Sequence, residues 1–131
     1  MKNTIQLLRK VAANDMPVFI GGETGVGKKF LAGYIHHISK RSQNMIFAWN
    51  PEEVKGIGLE EDLFGTEEQS GVLEVCDGGV VIIENIEKMS FSLQNKLKWF
   101  IENGEYQTVQ GKKRKADVKL LLTSVFLTGT V

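Results

Sequence analysis

The segment Gly22-Glu23-Thr24-Gly25-Val26-Gly27-Lys28 carries the clearest chemical signal in the sequence. Its glycines let backbone N–H groups converge on an anion, and the closing lysine can reach the outer oxygens of a polyphosphate. The G-x-x-x-x-G-K pattern alone is weak, because a chain with 14 glycines matches it by chance fairly often. Here an apolar strand, Pro17 to Ile20, precedes the match and a helix begins near Gly27. This context predicts a phosphate-binding loop rather than a structural turn.

The residue after this lysine departs from the generic form of the loop. Such loops place Ser or Thr there to hold Mg²⁺, whereas this chain has Lys29. An ammonium group cannot ligate a metal ion, although it can contact phosphate or solvent. The simplest interpretation of Lys29 is a solvated lysine beside the phosphate site.

Helix and strand patterns alternate along the chain. Apolar runs predict strands at residues 17–20, 46–49, 80–83 and 118–123, with a hairpin strand at 106–109. Helical spacing predicts a helix over about 5–12 and one from Gly27 whose buried stripe is Leu31, Tyr34, Ile35 and Ile38. A later helix, capped by Ser90 or Ser92 and closed by Asn103-Gly104, carries Leu93, Leu97, Phe100 and Ile101. The alternation predicts an α/β fold with a parallel sheet covered on both faces.

Composition indicates one globular domain over residues 1–131. The chain is 42% hydrophobic, and its 16 Lys and Arg residues equal its 16 Asp and Glu, so no overall field favours nucleic acid or anionic lipid. The single cysteine, Cys76, excludes an internal disulfide and is expected to be a small buried hydrophobe. No apolar run has membrane-spanning length and no signal peptide is present, so the cytoplasm is the expected location.

Segments along most of the chain match a known family in order and spacing. Besides the phosphate loop they are Ile35-His36, Ile46-Phe47-Ala48-Trp49-Asn50, Asp62-Leu63-Phe64-Gly65, Asp77 to Ile86, Leu93-Gln94-Asn95-Lys96-Leu97, Glu102 to Tyr106 and Asp117-Val118-Lys119-Leu120. Together they resemble the central ATPase domain of bacterial enhancer-binding proteins. These are the AAA+ regulators of sigma-54 RNA polymerase, and many are response regulators. The resemblance implies a P-loop NTPase core of the AAA+ type that binds ATP or ADP, with Mg²⁺ as a further cofactor.

The resemblance also assigns roles to individual residues. The nucleotide phosphates would contact Gly22, Glu23, Thr24, Gly25, Val26, Gly27, Lys28 and Lys29. Glu84 takes the position that holds Mg²⁺ through water, and Asn85 takes that of the catalytic glutamate. Asn50 matches a switch asparagine, and Ser124 falls near the sensor position, whose usual asparagine aligns with Val125.

Asn85 puts hydrolysis in question. An amide can orient water but cannot accept its proton, so hydrolysis is expected to be weak or absent, and Asn85 is expected to make an ordinary amide contact with Asn50. Glu87 is the only nearby substitute base, and we expect it to face solvent.

Two further departures concern partners. The family carries a GAFTGA loop that contacts the sigma factor, but residues 66–78 do not spell it, so sigma-54 contact is doubtful. The sequence reaches Val131 without the family's arginine fingers, helical lid or helix-turn-helix, so DNA would be reached only through another domain.

A fifth strand is also lacking, so the strand before the phosphate loop would present an open edge. That edge predicts self-association unless residues 126–128 cover it.

The leading hypothesis is an ATP-binding regulatory domain of a sigma-54-type transcription regulator with impaired hydrolysis. One alternative is a working ATPase whose remaining parts lie elsewhere, and another is a nucleotide-independent interaction module. The basic run Gly111 to Lys115 is expected to be a solvated hairpin tip rather than a nucleic-acid contact. His36 and His37 lack companions at metal-ligand spacing.

Overall fold

The computed structural model describes residues 17–21 and 25–124, and for residues 25–29 it describes only the backbone. The strands are β1 (Val18–Gly21), β2 (Ile46–Trp49), β3 (Val80–Ile83), β4 (Glu105–Gln107), β5 (Lys113–Lys115) and β6 (Lys119–Ser124). The α-helices are α1 (Gly25–His37), α2 (Leu59–Phe64), α3 (Val72–Val75) and α4 (Phe91–Asn103). Short 3₁₀ turns follow β2 and β3 at Pro51–Glu53 and Ile86–Lys88. The helix expected over residues 5–12 lies outside the described residues, as do Gly22, Glu23, Thr24, Val125 and residues 126–128.

Four strands form one parallel sheet in the order β1-β6-β3-β2, as the apolar runs predict. All residues of β3 and β6 are buried, which fits their central places between two layers of helices. Within the described residues, β1 pairs only with β6 and β2 pairs only with β3, so both are edge strands. No helix among these residues is long and apolar enough to cross a membrane.

Helices cover the sheet on both faces. On one face, α1 packs Ala32 and Ile35 against Ile20, Val80 and other strand residues. On the other face, α2, α3 and α4 enclose a larger core. The predicted stripe of α1 is wrong at Tyr34, which is 37% exposed, because Ala32 takes the place against the sheet. Cys76 is buried in the larger core as expected, and burial raises the pKa of its thiol.

The two ends of α4 follow from local sequence. The Ser90 hydroxyl accepts a hydrogen bond from the Leu93 backbone N–H at 3.1 Å, so Ser90 rather than Ser92 is the N-cap. Gly104 ends the helix with φ of 69°, a left-handed conformation that glycine adopts without strain. These caps fix where the chain leaves α4 and enters the antiparallel β4–β5 hairpin.

Acidic side chains partly neutralise the basic run Gly111 to Lys115. Arg114 pairs with Glu74 at 3.3 Å, and Lys115 lies 3.8 Å from Glu105. These pairs reduce the positive field that a nucleic-acid site would need, which favours the solvated-hairpin interpretation.

Arg41 joins the turn after α1 to the starts of β3 and β6. Its Nη1 donates to the carbonyl oxygens of Gly79 at 2.9 Å and Asp117 at 3.0 Å, and its Nη2 donates to Asp117 Oδ1 at 2.6 Å. The Arg41 side chain is 8% exposed and that of Asp117 is 78% exposed. The two carbonyl contacts therefore carry more of the stabilisation than the carboxylate, which water screens.

We predict that Arg41→Ala lowers the free energy of unfolding by about 2–3 kcal/mol, because two charge-assisted hydrogen bonds are lost, although each carbonyl keeps a backbone N–H donor. Asp117→Asn is the matched control and should cost less than about 1 kcal/mol, because an exposed ion pair contributes little. Urea denaturation of both variants measures the difference. If both variants lost an equal and small amount of unfolding free energy, the carbonyl contacts would not contribute more than the ion pair.

Candidate functional site

The carboxyl ends of the four parallel strands meet at one edge of the sheet, where open α/β sheets bind ligands. β1 ends at Gly21, and α1 begins at Gly25. The intervening residues 22–24 and the side chains of residues 25–29, including Lys28 and Lys29, lie outside the described part of the chain. The backbone of Gly25 to Lys29 forms the N-terminal end of a helix of 13 residues. The strand-to-helix context predicted for a phosphate loop is therefore present, with the positive end of a helix dipole at its centre.

Asn85, which follows β3 and Glu84, is directed toward the end of β2. Its Nδ2 donates to Asn50 Oδ1 at 3.2 Å and to Glu52 Oε1 at 3.3 Å. The Glu52 backbone N–H also donates to Asn50 Oδ1 at 3.0 Å, which fixes the orientation of the Asn50 amide. Because both neighbours are acceptors, Asn85 must present its NH₂ group to them. The structure brings the predicted switch and base positions together through an amide contact, as expected.

The backbone at Asn85 is left-handed, with φ of 52° and ψ of 52°. It is the only described residue other than glycine with positive φ. Asparagine adopts this conformation at lower cost than most residues. The turn reverses the chain directly after β3 and carries the following 3₁₀ turn, Ile86–Lys88, toward β6.

Glu84 lies on the β2 side of the strand ends as the first residue after β3. Its backbone N–H donates to the Trp49 carbonyl at 2.8 Å, and the residue is only 6% exposed. Carboxylate oxygens are ligands that Mg²⁺ prefers. Glu84 therefore fits the predicted Mg²⁺ position chemically, and the role itself stays a prediction.

Ser124 and Glu87 form a second pair at the site. Ser124 is the last residue of β6 and is 2% exposed. Its hydroxyl donates to Glu87 Oε1 at 3.0 Å. Glu87 is half-buried, so the expectation that it faces solvent is wrong. The cause is the left-handed turn at Asn85, which no helical or strand spacing in the sequence reveals.

No group of three or more metal-ligating side chains is present in the described part of the chain. His36 contacts the Asn44 carbonyl oxygen at 3.2 Å, which gives this histidine a structural partner.

A family model described as the sigma-54 interaction domain matches residues 1–126. The chain belongs to the sigma-54 interaction domain family. It is 33% identical to the response regulator protein FleR of Pseudomonas aeruginosa, covering 94% of this chain and 28% of FleR. It is also 33% identical to the transcriptional regulatory protein TyrR of Haemophilus influenzae, covering 95% of this chain and 41% of TyrR. The chain thus spans well under half the length of these regulators.

Solved structures support the same fold. NtrX from Brucella abortus in complex with ADP superposes with a TM-score of 0.84 at 28% identity, covering 95% of this chain and 29% of NtrX. The complex of NtrX with ATP gives a TM-score of 0.82. The P-loop NTPase domain of a sigma-54 transport activator from E. coli gives 0.62 at 13% identity, which supports the fold alone. The predicted P-loop NTPase architecture is confirmed.

This sigma-54 interaction domain folds residues 66–78 as a compact connection. Thr66 caps a tight turn by accepting hydrogen bonds from the backbone N–H groups of Glu68 and Gln69 at 3.2 and 3.0 Å. A Cβ on Gly71 would lie 2.6 Å from the Leu63 carbonyl oxygen, so the two ends of this turn are in close contact.

The β4–β5 hairpin is hydrogen-bonded to the same turn. The Val109 N–H donates to the Gly65 carbonyl at 3.0 Å, and the Glu67 N–H donates to Gln110 Oε1 at 3.0 Å. In the sigma-54 interaction domain described here, the segment between Gly65 and Gly79 therefore closes against the hairpin instead of projecting as a loop.

Proposed function

We propose that this chain is the ATP-binding regulatory core of a bacterial sigma-54-type transcription regulator, with weak hydrolysis and no sigma-54 remodelling. The observation that supports the proposal is that β1 ends at Gly21 and α1 begins at Gly25, at the same edge of the sheet where the buried residue Glu84 follows β3. Backbone N–H groups at the start of α1 and the Lys28 ammonium group would hold the phosphates. Glu84 would help to hold Mg²⁺, which would neutralise part of the negative charge of the phosphates.

The site's own residues account for weak hydrolysis. Asn85 occupies the position that the family gives to the base, and its amide is turned toward Asn50 and Glu52. Loss of a general base costs on the order of 10²–10⁴ in rate. Nucleotide occupancy, rather than rapid turnover, is then the signal that this core transmits to the rest of the regulator.

ATP is expected to bind in a Lys28-dependent manner. Lys28→Ala should weaken the affinity for Mg²⁺–ATP about 10-fold or more, because a charge-assisted contact to phosphate is lost. Calorimetric titration measures this. Lys55→Ala, a change at an exposed lysine after the Pro51–Glu53 turn, should leave the affinity unchanged. Equal affinities for the wild type and Lys28→Ala would favour the alternative of a nucleotide-independent interaction module.

Sigma-54 activation is expected to fail, because the segment between Gly65 and Gly79 is closed against the β4–β5 hairpin. A transcription assay with sigma-54 holoenzyme measures this, with a relative that carries the GAFTGA signature as the positive control. Nucleotide-dependent activation by the full-length regulator would contradict the prediction and favour the alternative of a working ATPase activator.

We also expect a second copy of this chain to pair with the outer edge of β1. That strand pairs only with β6 among the described residues, and its Phe19 is 59% exposed. Edge N–H and C=O groups that have no strand partner among the described residues, beside an exposed aromatic side chain, favour pairing with a second copy. Phe19→Lys should shift the light-scattering mass toward the monomer, whereas Phe91→Lys, at a 79% exposed position on α4, should not. A monomeric wild-type protein would contradict this.

A further inference from the structure

The outer edge of β2 is apolar and has no strand partner in the described part of the chain. β2 pairs only with β3 there, in a continuous register from Ile46 to Trp49. Native sheet edges are often protected by proline, a bulge or a charged side chain, and β2 has none of these. Its first three residues, Ile46, Phe47 and Ala48, are exposed. This edge is therefore accessible to another strand.

The hydrogen bonds to β3 show which backbone groups of β2 point outward. The Trp49 carbonyl oxygen accepts from the Glu84 N–H, on the β3 side, at 2.8 Å. Successive residues of a strand direct their backbone groups to opposite sides, so those of Ile46 and Ala48 point away from β3. The N–H and C=O groups of these two residues are the ones that an added strand would bind.

Two cavities lie along this edge on one face of the sheet. Phe47 is in register with Val81, a residue of the larger core, so its side chain lies on the face that α2 and α3 cover. A cavity of about 150 Å³ adjoins Phe47 and Met45, and one of about 280 Å³ adjoins Phe47 and Trp49. Asp62 lines both cavities. Alternate side chains of an added strand lie about 7 Å apart on one face, so two of them would reach the cavities on either side of Phe47.

The chain beside these cavities is acidic. Residues 50–62, which lead from the end of β2 into α2, contain five acidic side chains and one lysine, Lys55. Glu53 and Asp62 line the larger cavity together with Lys55. This charge favours a basic partner. A second copy paired edge to edge with β2 would bring two such acidic segments to the same pair of strands, which like-charge repulsion disfavours.

We propose that the outer edge of β2 binds an extended segment of a partner protein, which adds a fifth strand to the sheet. This segment carries two apolar side chains at alternate positions, flanked by lysine or arginine. Backbone hydrogen bonds to Ile46 and Ala48 hold the segment, and the two cavities select its apolar side chains. The site lies at the opposite edge of the sheet from β1 and does not depend on nucleotide binding.

An NMR titration of the chain with the synthetic peptide Lys-Thr-Val-Thr-Val-Thr-Lys tests the proposal. As a strand, this peptide presents its valines and lysines on one face. It should shift the amide signals of residues 45–50 and slow hydrogen exchange at Ile46 and Ala48. The peptide Glu-Thr-Val-Thr-Val-Thr-Glu should bind about 10-fold more weakly or less, because its charges meet the acidic segment.

Ala48→Pro tests the added strand itself. Proline lacks the N–H that points outward at this position, and the hydrogen bonds from β2 to β3 do not use it. The variant should weaken binding of the basic peptide about 10-fold, since one backbone hydrogen bond is lost and the ring obstructs the approach of the strand. Thermal melting of the variant shows whether the fold is retained.

Asp62→Asn tests the charge without touching the strand. Asparagine keeps an oxygen that can accept the Trp49 Nε1 hydrogen bond, which spans 2.7 Å to Asp62 Oδ2. The variant should weaken binding of the basic peptide about 3-fold and reduce its salt dependence, because one attractive charge is removed. Glu102→Gln makes the same charge change on α4, near Phe19 of the opposite edge, and should leave binding unchanged.

Several results would overturn the proposal. They are no binding of the basic peptide to the folded wild-type chain, equal binding of the two peptides, and unchanged binding in Asp62→Asn. Slow exchange of the Ile46 and Ala48 amides in the free protein would show that this edge is already covered. If Ala48→Pro lowered the light-scattering mass of the wild-type chain, the edge would belong to a second copy instead. None of these results bears on nucleotide binding.

Discussion

The insertion of β6 between β1 and β3 is the constraint on which the site depends. All six residues of β6 are buried, and it pairs in parallel with both neighbours. The backbone groups of a central strand point alternately to its two neighbours, and each needs a partner there, so the register of β6 sets the relative heights of β1 and β3. This register places Gly21 level with Ser124, and Ile83, the last residue of β3, level with Leu122, two residues earlier on β6. The end of β1 and the acidic residues after β3 thus lie at the same edge of the sheet, separated by β6.

The left-handed turn at Asn85 then determines where the side chains that follow β3 lie. It leaves Glu84 buried at the end of β3, directs the Asn85 amide toward β2, and sends Glu87 toward β6. A glutamate at position 85 would carry a cost on the order of 1 kcal/mol in this backbone conformation. Asparagine therefore suits the turn at the same time as it removes the base.

The sequence predicted the framework well because the relevant signals are local. The apolar runs identify the parallel strands β2, β3 and β6, although only β3 and β6 are fully buried, and Ser90 and Gly104 mark the ends of α4. The predicted burial of Tyr34 was wrong because helical spacing gives a stripe but not the rotation of α1 on the sheet. The place of Glu87 was wrong for a deeper reason. It depends on a single left-handed residue and on a partner 37 positions away in sequence, and neither is encoded in a local pattern.

The short connection between Gly65 and Gly79 lacks the GAFTGA signature, and it also helps to hold the core together. Close backbone contact between Gly65 and Gly71 brings α2 and α3 together, so Phe64 and Leu73 both enter the larger core. Hydrogen bonds from Val109 and Glu67 then attach the β4–β5 hairpin to the same turn. A long projecting loop at this point would have to break these contacts and replace them with its own. In this chain the segment stabilises the core, and movement there would require partial unfolding rather than the swing of a loop.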